Sequence, residues 1–469
     1  MTSETQAQLP ADFAALGLTA ASQRVVQELG FRQLTPIQAQ SLPVLLRGDD
    51  LVGQSATGSG KTVAFALPLL DRLELADRRL QALVLCPTRE LAAQVAVAIR
   101  TLGRHRPGLR VLVLAGGMPS GPQRKALDEG VHVAVGTPGR VQDHLNRGLD
   151  VSGVRTAVLD EADRMLDMGF QDAVEAILRT LPVERQTLFF SATFPQSIAA
   201  MSRNWQRNPV HVTIVEADSA QPAIRQIVHL VPVEARQAAL EAVLRAHAPA
   251  SALVFCNLKA SVREVAAALT RAGFVADALH GDLEQRDRDR VLAKLRNGTT
   301  QFLVATDVAA RGLDIAGLAA VIHYEFPAAP DAYVHRIGRT GRAGAPGLAI
   351  ALVTPRDQAR LAACAAVAGG AMERLPLPTR AATTQAPAGQ PTAMETLFIS
   401  GGRKDKLRAS DILGALTGEA HVLATDIGRI EISDRFTYVA LTPRVLAKLL
   451  KDCAGLRIKG RNFRIERVQ

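Results

Sequence analysis

Cysteines are few in this chain, and it has no long hydrophobic segment. The four cysteines, Cys86, Cys256, Cys364 and Cys453, lie far apart, without the paired spacing of a zinc site or a redox pair. We expect them to be reduced, small core residues of a cytosolic protein. No apolar run approaches the ~20 residues of a membrane span, and the polar N-terminal residues contain no hydrophobic region of a secretory signal. These absences argue against membrane and disulfide-stapled classes and predict a cytoplasmic location.

Length and charge set the next limits. A chain of 469 residues is too long for one core, and it suggests roughly two to four domains. Lys and Arg number 55 against 45 Asp and Glu, which gives a net charge of +10. Such a charge favours a polyanionic partner. From charge alone, a merely basic protein is an equally good interpretation.

Short Val/Leu/Ala runs alternate with helical patterns, which is typical of a parallel sheet wrapped by helices. The runs occupy residues 82–87, 131–135 and 157–159, and then 252–257, 301–305 and 320–323. The likeness of the first and fourth runs indicates two copies of one α/β fold. The polar stretch at 216–222 predicts a boundary near residue 218, with domains over 1–217 and 218–375.

A segment rich in Pro, Thr, Ala and Gln follows, and it predicts a flexible linker over 376–394. Residues 395–469 then show a strand-helix-strand-strand-helix-strand pattern, which suggests a small α+β sandwich of the RNA-recognition type. This tail carries fourteen Lys and Arg against nine Asp and Glu. The expected strands are Leu397–Ser400, Ile427–Ile432, Phe436–Leu441 and Ile458–Val468, and the expected helices are Ser410–Leu416 and Pro443–Leu450.

Two motifs predict nucleotide triphosphate hydrolysis. The first is a glycine-rich phosphate loop over 55–62, in which Gly58 and Gly60 supply backbone freedom and Lys61 supplies charge for the outer phosphates. The second is the acidic sequence 160–163, directly after an apolar run. A phosphate loop alone could arise by chance, and acidic residues after a strand could be a solvated loop. Their combination makes both alternatives weak.

Each side chain of this pair of motifs has an expected task. Thr62 and Asp160 are the expected ligands of Mg²⁺. Glu161 is not needed for the metal, so it is placed to orient or deprotonate the attacking water.

From about residue 12 to 355 the chain resembles the DEAD-box RNA helicases, with motifs in the family's order. The stretch 30–38, with Phe13 upstream, is similar to the family's adenine-reading motif. The resemblance implies two RecA-like parallel-sheet domains and the cofactors ATP and Mg²⁺. It implies that Gln38 contacts the adenine edge, that Phe13 stacks on its face, and that Thr57 and Ser59 belong to the phosphate loop. Without the resemblance, a surface staple on a helix would be the preferred role for Phe13. One departure is Ser55, where many members carry Ala.

Three further motifs resemble those that couple hydrolysis to closure of the family's two domains. They are 191–193, 306–314 and 335–342. The resemblance implies that Arg339 and Arg342 reach the γ-phosphate and that Asp314 contacts the ribose. It also implies that Ser191 and Thr193 link to Asp163, and that Asp163 pairs with His335. The alternative for the last motif is a basic, solvated helix end, which does not explain a His and three Arg at this spacing.

A third group of motifs resembles those that hold the RNA backbone in the family. They lie at 87–91, 116–117, 137–140, 280–282, 285–288 and 306. Such residue types bind phosphate and do not read bases, and family members also contact the ribose 2′-hydroxyl. Singly, the shorter motifs would more often be plain turns. The RNA contacts implied are Arg89, Gly117, Thr137, Arg140, Gly281, Arg288 and Thr306.

The tail resembles the RNA-binding tail of one bacterial branch of the same family. Its similar blocks are 401–408, 413–418 and 458–465. The resemblance implies capture of a hairpin of 23S rRNA in pre-50S particles. Phe436 and Tyr438 fit an aromatic base-stacking strand only loosely, and core packing is expected for at least one ring. The expected contacts, for which a solvated basic face is the alternative, are Arg403, Lys404, Lys406, Arg408, Lys459, Arg461 and Arg464.

The predicted protein is a monomeric, ATP-dependent RNA helicase that unwinds short duplexes during assembly of the large (50S) ribosomal subunit. An ATP-gated RNA clamp that hardly unwinds would carry the same motifs, so the sequence leaves that alternative open. A DNA translocase is disfavoured by the adenine motif and by the RNA-type tail.

Overall fold

A seven-stranded sheet lies at the centre of the first part of the chain. The computed structural model describes residues 10, 12–55, 58–117, 119–214, 224–310, 317–341, 346–368, 371–378, 392–452 and 455–468. The chain divides into two units, the first ending at Ala217 and the second beginning at Asp218. The strands of the first unit are β1 Leu51–Gln54, β2 Ala82–Leu85, β3 Val111–Leu114, β4 Val133–Gly136, β5 Thr156–Asp160, β6 Gln186–Ser191 and β7 Val210–Thr213. Adjacent strands are parallel, in the order β3-β4-β2-β5-β6-β1-β7.

Helices cover both faces of this sheet, because its central strands are apolar on both sides. Val84 and Val158 belong to one core cluster, whereas Leu83 and Leu159 belong to the other. Alternate residues of each strand therefore serve opposite faces. The helices are α1 Ala20–Glu28, α2 Pro36–Arg47, α3 Lys61–Asp71, α4 Arg89–Leu102, α5 Ser120–Asp128, α6 Pro138–Leu145, α7 Ala162–Asp167, α8 Gln171–Thr180 and α9 Gln196–Trp205.

The second unit begins with another parallel seven-stranded sheet. Its strands are β8 Ile224–Leu230, β9 Ala252–Cys256, β10 Ala276–Leu279, β11 Phe302–Thr306, β12 Ala320–His323, β13 Gly347–Val353 and β14 Met372–Arg374. Their order is β10-β11-β9-β12-β13-β8-β14. The helices are α10 Arg236–His247, α11 Lys259–Arg271, α12 Gln285–Arg296, α13 Asp307–Ala310, α14 Pro330–Ile337 and α15 Gln358–Val367.

The tail forms a five-stranded antiparallel sheet. Its strands are β15 Glu395–Ile399, β16 Ile427–Ile432, β17 Thr437–Leu441, β18 Gly455–Ile458 and β19 Arg461–Arg467, and its helices are α16 Ala409–Gly414 and α17 Pro443–Asp452. The strand order is β16-β17-β15-β19-β18. The two parallel sheets and the small α+β tail domain confirm the predicted fold class.

The prediction of one strand over Ile458–Val468 is wrong. A tight turn at Lys459 and Gly460 divides that segment, and β18 pairs with β19 as a hairpin in which Ile458 lies opposite Arg461. Both turn residues have positive φ, 51° and 76°. This is the backbone geometry of a two-residue turn that matches the twist of the paired strands.

One face of the tail sheet packs on α12 within the second unit. Tyr438 is only 4 % exposed and lies in a buried cluster with Ala293 and Val468, while Phe398 and Phe436 pack against the same cluster. Tyr438 therefore serves packing.

Polar contacts accompany this apolar cluster. The Thr396 hydroxyl bonds to Thr299 Oγ1 at 2.8 Å and accepts from Asn297 Nδ2 at 3.1 Å. Arg296 also pairs with Glu431. Across the described ranges, no helix has both the length and the apolar character needed to cross a bilayer.

Replacing Thr396 by Val is expected to loosen the tail from α12. The side chain is fully buried, so the variant leaves the Asn297 amide and the Thr299 hydroxyl short of a partner, at a cost of about 1–3 kcal/mol. Amide hydrogen exchange of α12 and β15 in the full chain should accelerate. Thr437→Val is the matched control, because the Thr437 hydroxyl donates to Gly401 O inside the tail. Equal exchange at α12 in the two variants would contradict the prediction.

Candidate nucleotide and RNA sites

Three adjacent parallel strands bring the catalytic candidates of the first unit together. Strand β6 lies between β5 and β1, so the carboxyl ends of all three meet at one edge of the sheet. Strand β1 leads into the phosphate loop, β5 ends at Asp160, and β6 ends at Ser191. Open parallel sheets bind their ligands at this edge.

The phosphate loop adopts a backbone that requires glycine. Gly58 and Gly60 have φ of 89° and 97°, in the left-handed region that glycine enters without strain. A Cβ on Gly60 would also lie 2.5 Å from Gln38 Nε2. Helix α3 starts directly afterwards at Lys61, and its N-terminus favours an anion such as a phosphate. Thr57 lies outside the described residues.

Lys61 is buried among carboxylates. Its Nζ donates to Ser55 O at 2.7 Å, and Ser55 Oγ lies 2.8 Å from Ser59 Oγ. Burial lowers the pKa of Lys61, while the charges of Asp160 and Glu161 oppose that change. The departure at Ser55 thus adds a hydroxyl contact within the loop.

The environment of Asp160 disfavours the ionised form of its carboxyl group. Burial, and secondly the neighbouring Glu161, raise the pKa of Asp160 to about 7. A nearby divalent cation would stabilise the ionised form, so the carboxylate fits the predicted magnesium site. In the described parts of the chain, no three His, Cys, Asp or Glu side chains are grouped to hold a metal. Thr62, in the first turn of α3, and the nucleotide's phosphates would therefore complete the ligand set, as is usual for Mg²⁺.

Glu161 is held by its backbone and by an arginine. Its φ and ψ are 56° and 52°, an uncommon conformation for a residue with a side chain. Arg164 Nη1 donates to Glu161 Oε2 at 2.8 Å, and Arg164 is only 2 % exposed. Arg164 was not predicted as a site residue. Its spacing three residues after Glu161, at the start of a helix, could have indicated the pair.

Asp163 is fixed by the segment that follows β6. Its Oδ2 accepts from the Thr193 hydroxyl at 2.8 Å and from the Thr193 amide at 2.9 Å. The Asp163 amide donates to Ser191 Oγ at 3.2 Å. The structure thus joins Ser191 and Thr193 to Asp163.

Both candidate adenine-binding residues are buried, with Gln38 and Phe13 each 5 % exposed. Gln38 accepts from the Thr35 amide at 3.0 Å and donates to Gly60 O at 3.2 Å, so it contacts the phosphate loop directly. Phe13 is 5 % exposed, and its ring stacks on Phe31 with 6.1 Å between centroids. Its adenine contact stays a prediction.

In the second unit, a buried arginine organises the coupling motifs. Arg336 is 1 % exposed, and it donates to Asp307 Oδ1 at 2.7 Å and to Asn257 Oδ1 at 2.8 Å. His335 lies in α14, and Arg339 follows that helix and is 5 % exposed. Arg336 was not predicted as a site residue. Asp314 and Arg342 lie outside the described residues.

The RNA-binding candidates of the first unit lie shortly after the carboxyl ends of β2, β3 and β4. Gly117 has φ of 73°, and a Cβ there would overlap the Arg89 guanidinium, so the turn and the arginine are in direct contact. Arg140 Nη1 donates to Gln123 Oε1 at 3.0 Å. Thr137 occupies the N-cap position of α6, without a side-chain capping hydrogen bond. Gln123 was also missed.

The candidates of the second unit converge on one arginine. Arg288 approaches His280 O at 3.5 Å and Ala309 O at 3.4 Å, so it links the turn containing Gly281 to α13. The Thr306 hydroxyl accepts from the Ala309 amide at 3.3 Å.

All seven basic candidates of the tail are exposed. Two of them have partners within the tail: Lys459 pairs with Asp411 at 2.7 Å, and Arg464 pairs with Glu466 at 2.7 Å. Exposure fits contact with a polyanion.

The fold and the edge of the first sheet at which β1, β5 and β6 end define a class of protein. It is a phosphate-loop nucleotide hydrolase with a second parallel-sheet domain. The DEAD/DEAH box helicase family matches residues 35–201, the helicase conserved C-terminal domain matches 235–344, and the DbpA RNA binding domain matches 396–467. The chain belongs to the DEAD-box ATP-dependent RNA helicases.

Similar proteins agree with this assignment. The chain is 45 % identical over 444 residues to the ATP-dependent RNA helicase DbpA of Escherichia coli K12, covering 94 % of this chain and 95 % of that protein. It is 44 % identical over 368 residues to the helicase CshA of Geobacillus kaustophilus, covering 78 % and 79 %. Saccharomyces cerevisiae Dbp5 bound to RNA and ADP BeF3 has a TM-score of 0.70 and 30 % identity, covering 78 % of this chain and 96 % of that one.

These findings confirm the predicted family, the type of tail, ATP-dependent helicase activity and RNA binding. The roles of the individual site residues stay predictions.

Asp160→Asn is expected to change thermal stability in a pH-dependent way. A carboxyl with a raised native pKa favours the folded state least when it is ionised. The free energy of unfolding of the wild-type protein should therefore fall as pH rises from about 4 to about 7. Above that pH, this contribution should stay lost. The variant has no carboxyl at this position, so its free energy of unfolding should not show this fall.

The quantity to measure is the Tm of both proteins from pH 4 to 9, without nucleotide or Mg²⁺. The difference, variant minus wild type, should grow up to about pH 7 and then level off. Asp172→Asn, at an exposed position of α8, is the control. A difference that stays constant with pH would contradict the assignment.

Proposed function

We propose that this helicase acts in the cytoplasm, as a monomer, on precursors of the large ribosomal subunit, where its tail captures a hairpin of 23S rRNA. The match of residues 396–467 to the DbpA RNA binding domain carries the proposal. The aromatic side of the tail sheet supports it indirectly. Because Tyr438 packs beside α12, the exposed basic side chains are the better candidates for RNA contact.

The proposed hydrolytic chemistry uses the buried edge of the first sheet. Lys61 and the N-terminus of α3 bind the outer phosphates. Thr62 and Asp160 would hold Mg²⁺, which would supply positive charge against the charge developing on the phosphates. Glu161 orients the attacking water and accepts its proton. Arg164 Nη1 donates to Glu161 Oε2, which orients the carboxylate that would face the water.

The remaining predicted residues have roles in binding and coupling. Gln38 and Phe13 recognise adenine, with Thr57 and Ser59 completing the phosphate loop. Asp314 binds the ribose, and Arg339 and Arg342 bind the γ-phosphate. Asp163 receives its orientation from Ser191 and Thr193 and pairs with His335. The RNA backbone is held by Arg89, Gly117, Thr137, Arg140, Gly281, Arg288 and Thr306.

Glu161→Gln is expected to abolish ATP turnover while ATP and RNA still bind. Glutamine keeps an oxygen that can accept from Arg164, but it cannot take a proton from water. Single-turnover ATP hydrolysis with saturating RNA should fall by about 10²–10⁴, the range typical of a lost general base. Glu175→Gln on α8 is the control for the same chemical change at a distance. Turnover near the wild-type rate would refute the role of Glu161.

Neutralising Arg403 and Lys404 to Gln is expected to weaken capture of the rRNA hairpin and to flatten its salt dependence. Each lost phosphate contact lowers the slope of log K against log salt by about 0.7–0.9. The measurement is RNA affinity across a salt series, with a 23S hairpin fragment and an unrelated RNA of equal length.

Arg444→Gln with Lys448→Gln on α17 is the matched control, with the same change in net charge. The two pairs should differ on the hairpin fragment and should agree on the unrelated RNA. An unchanged slope for the Arg403 and Lys404 pair would place those side chains in bulk solvent. Equal ATPase stimulation by both RNAs in the wild type would contradict the targeting itself.

A further inference from the structure

A buried glutamine on α5 carries an inference about RNA binding. Gln123 is 4 % exposed, although its neighbours Arg124 and Lys125 on α5 are exposed. A buried side-chain amide is costly unless its polar atoms are hydrogen-bonded. The positions of its partners therefore explain why a glutamine lies there.

The amide of Gln123 has three partners. Nε2 donates to Ala115 O at 3.2 Å. Oε1 accepts from Arg140 Nη1 at 3.0 Å and lies 3.0 Å from His144 Nε2. Because Oε1 can only accept, His144 must carry a proton on Nε2. Both oxygen lone pairs and one amide proton are thus used.

These partners belong to different segments of the proposed RNA-binding surface. Ala115 directly follows β3 and precedes the Gly116–Gly117 turn, which contacts the Arg89 guanidinium. Arg140 lies in the first turn of α6, and His144 lies one turn further along the same helix. One amide group therefore connects the glycine turn with the arginine of the neighbouring motif.

We propose that Gln123 is a positioning residue that fixes the Gly116–Gly117 turn and Arg140 at one mutual distance, so that both can bind successive phosphates of an RNA backbone. The inference rests on the proposed RNA role of Arg140 and Gly117. The Arg140 side chain is 15 % exposed, so little of it moves freely in solvent. Ordering these groups before RNA arrives reduces the entropy lost on binding.

Gln123→Met is the variant that tests the proposal. Methionine is unbranched and can fill the same space, but it bonds to none of the three partners. We expect the RNA concentration that half-saturates ATPase stimulation to rise about tenfold, the change that one net hydrogen bond accounts for. The kcat at saturating RNA and the KM for ATP should stay unchanged, because Lys61, Asp160 and Glu161 are not among the partners.

Gln81→Met is the matched control. Gln81 is also buried, and its side-chain amide also makes three hydrogen bonds, to Glu74 N, Glu74 O and Asp77 O. Those bonds close a loop before β2, away from the RNA-binding candidates. The control should lose stability without a change in half-saturating RNA. An equal shift in both glutamine variants, or no shift in Gln123→Met, would overturn the positioning role.

A double-mutant cycle separates this inference from the function on which it rests. If Arg140→Ala raises half-saturating RNA, Gln123→Met should add far less in that background than alone. Full additivity would show that Gln123 does not act through Arg140. If Arg140→Ala changes nothing, the RNA role of Arg140 fails, and the positioning of Arg140 by Gln123 fails with it. Should Gln123→Met not fold, Gln123→Asn keeps the amide but shortens its reach, and the same shift is expected.

Discussion

The catalytic part of the molecule depends on one constraint, the burial of charged side chains after the carboxyl ends of β1 and β5. Lys61, Asp160 and Glu161 are all buried, together with Arg164. No one of these charges would be stable there alone, because an unpaired buried ion carries a large desolvation cost. Each is tolerable because the others are present, so the cluster is a mutually dependent unit. A bound nucleotide and its cation would enter an electrostatic balance that already exists.

The tail shows how a familiar sheet can present a different surface. In RNA-recognition folds, aromatic rings on the sheet stack bases, but here Tyr438 and its neighbours pack beside α12. The buried hydroxyl of Thr396 and its bonds to Asn297 and Thr299 reinforce that packing. Basic side chains on the other parts of the tail are left exposed. Fold type alone would therefore have directed attention to a face that packs against α12.

Local sequence patterns predicted much of this protein, but they could not predict contacts between segments that are distant in the sequence. The phosphate loop, the acidic motif and the parallel strands could be recognised because each is encoded by a few consecutive residues. The turn at Lys459 and Gly460 was missed because it interrupts an otherwise continuous strand pattern without the usual Asn-Gly or Asp-Gly pair. Gln123 was missed for another reason: its bonds reach Ala115, Arg140 and His144, and no spacing in the sequence indicates that convergence. Arg336 and its contacts with Asn257 and Asp307 are a similar case.

The left-handed backbone of Glu161 has a consequence for the evolution of the enzyme. A non-glycine residue held in that region costs on the order of 1–3 kcal/mol, and glycine or asparagine would relieve the tension. Selection for a sturdier protein alone would therefore favour replacing Glu161, the residue that we propose as the general base. The carboxylate proposed for catalysis is therefore held at a cost in the free energy of unfolding.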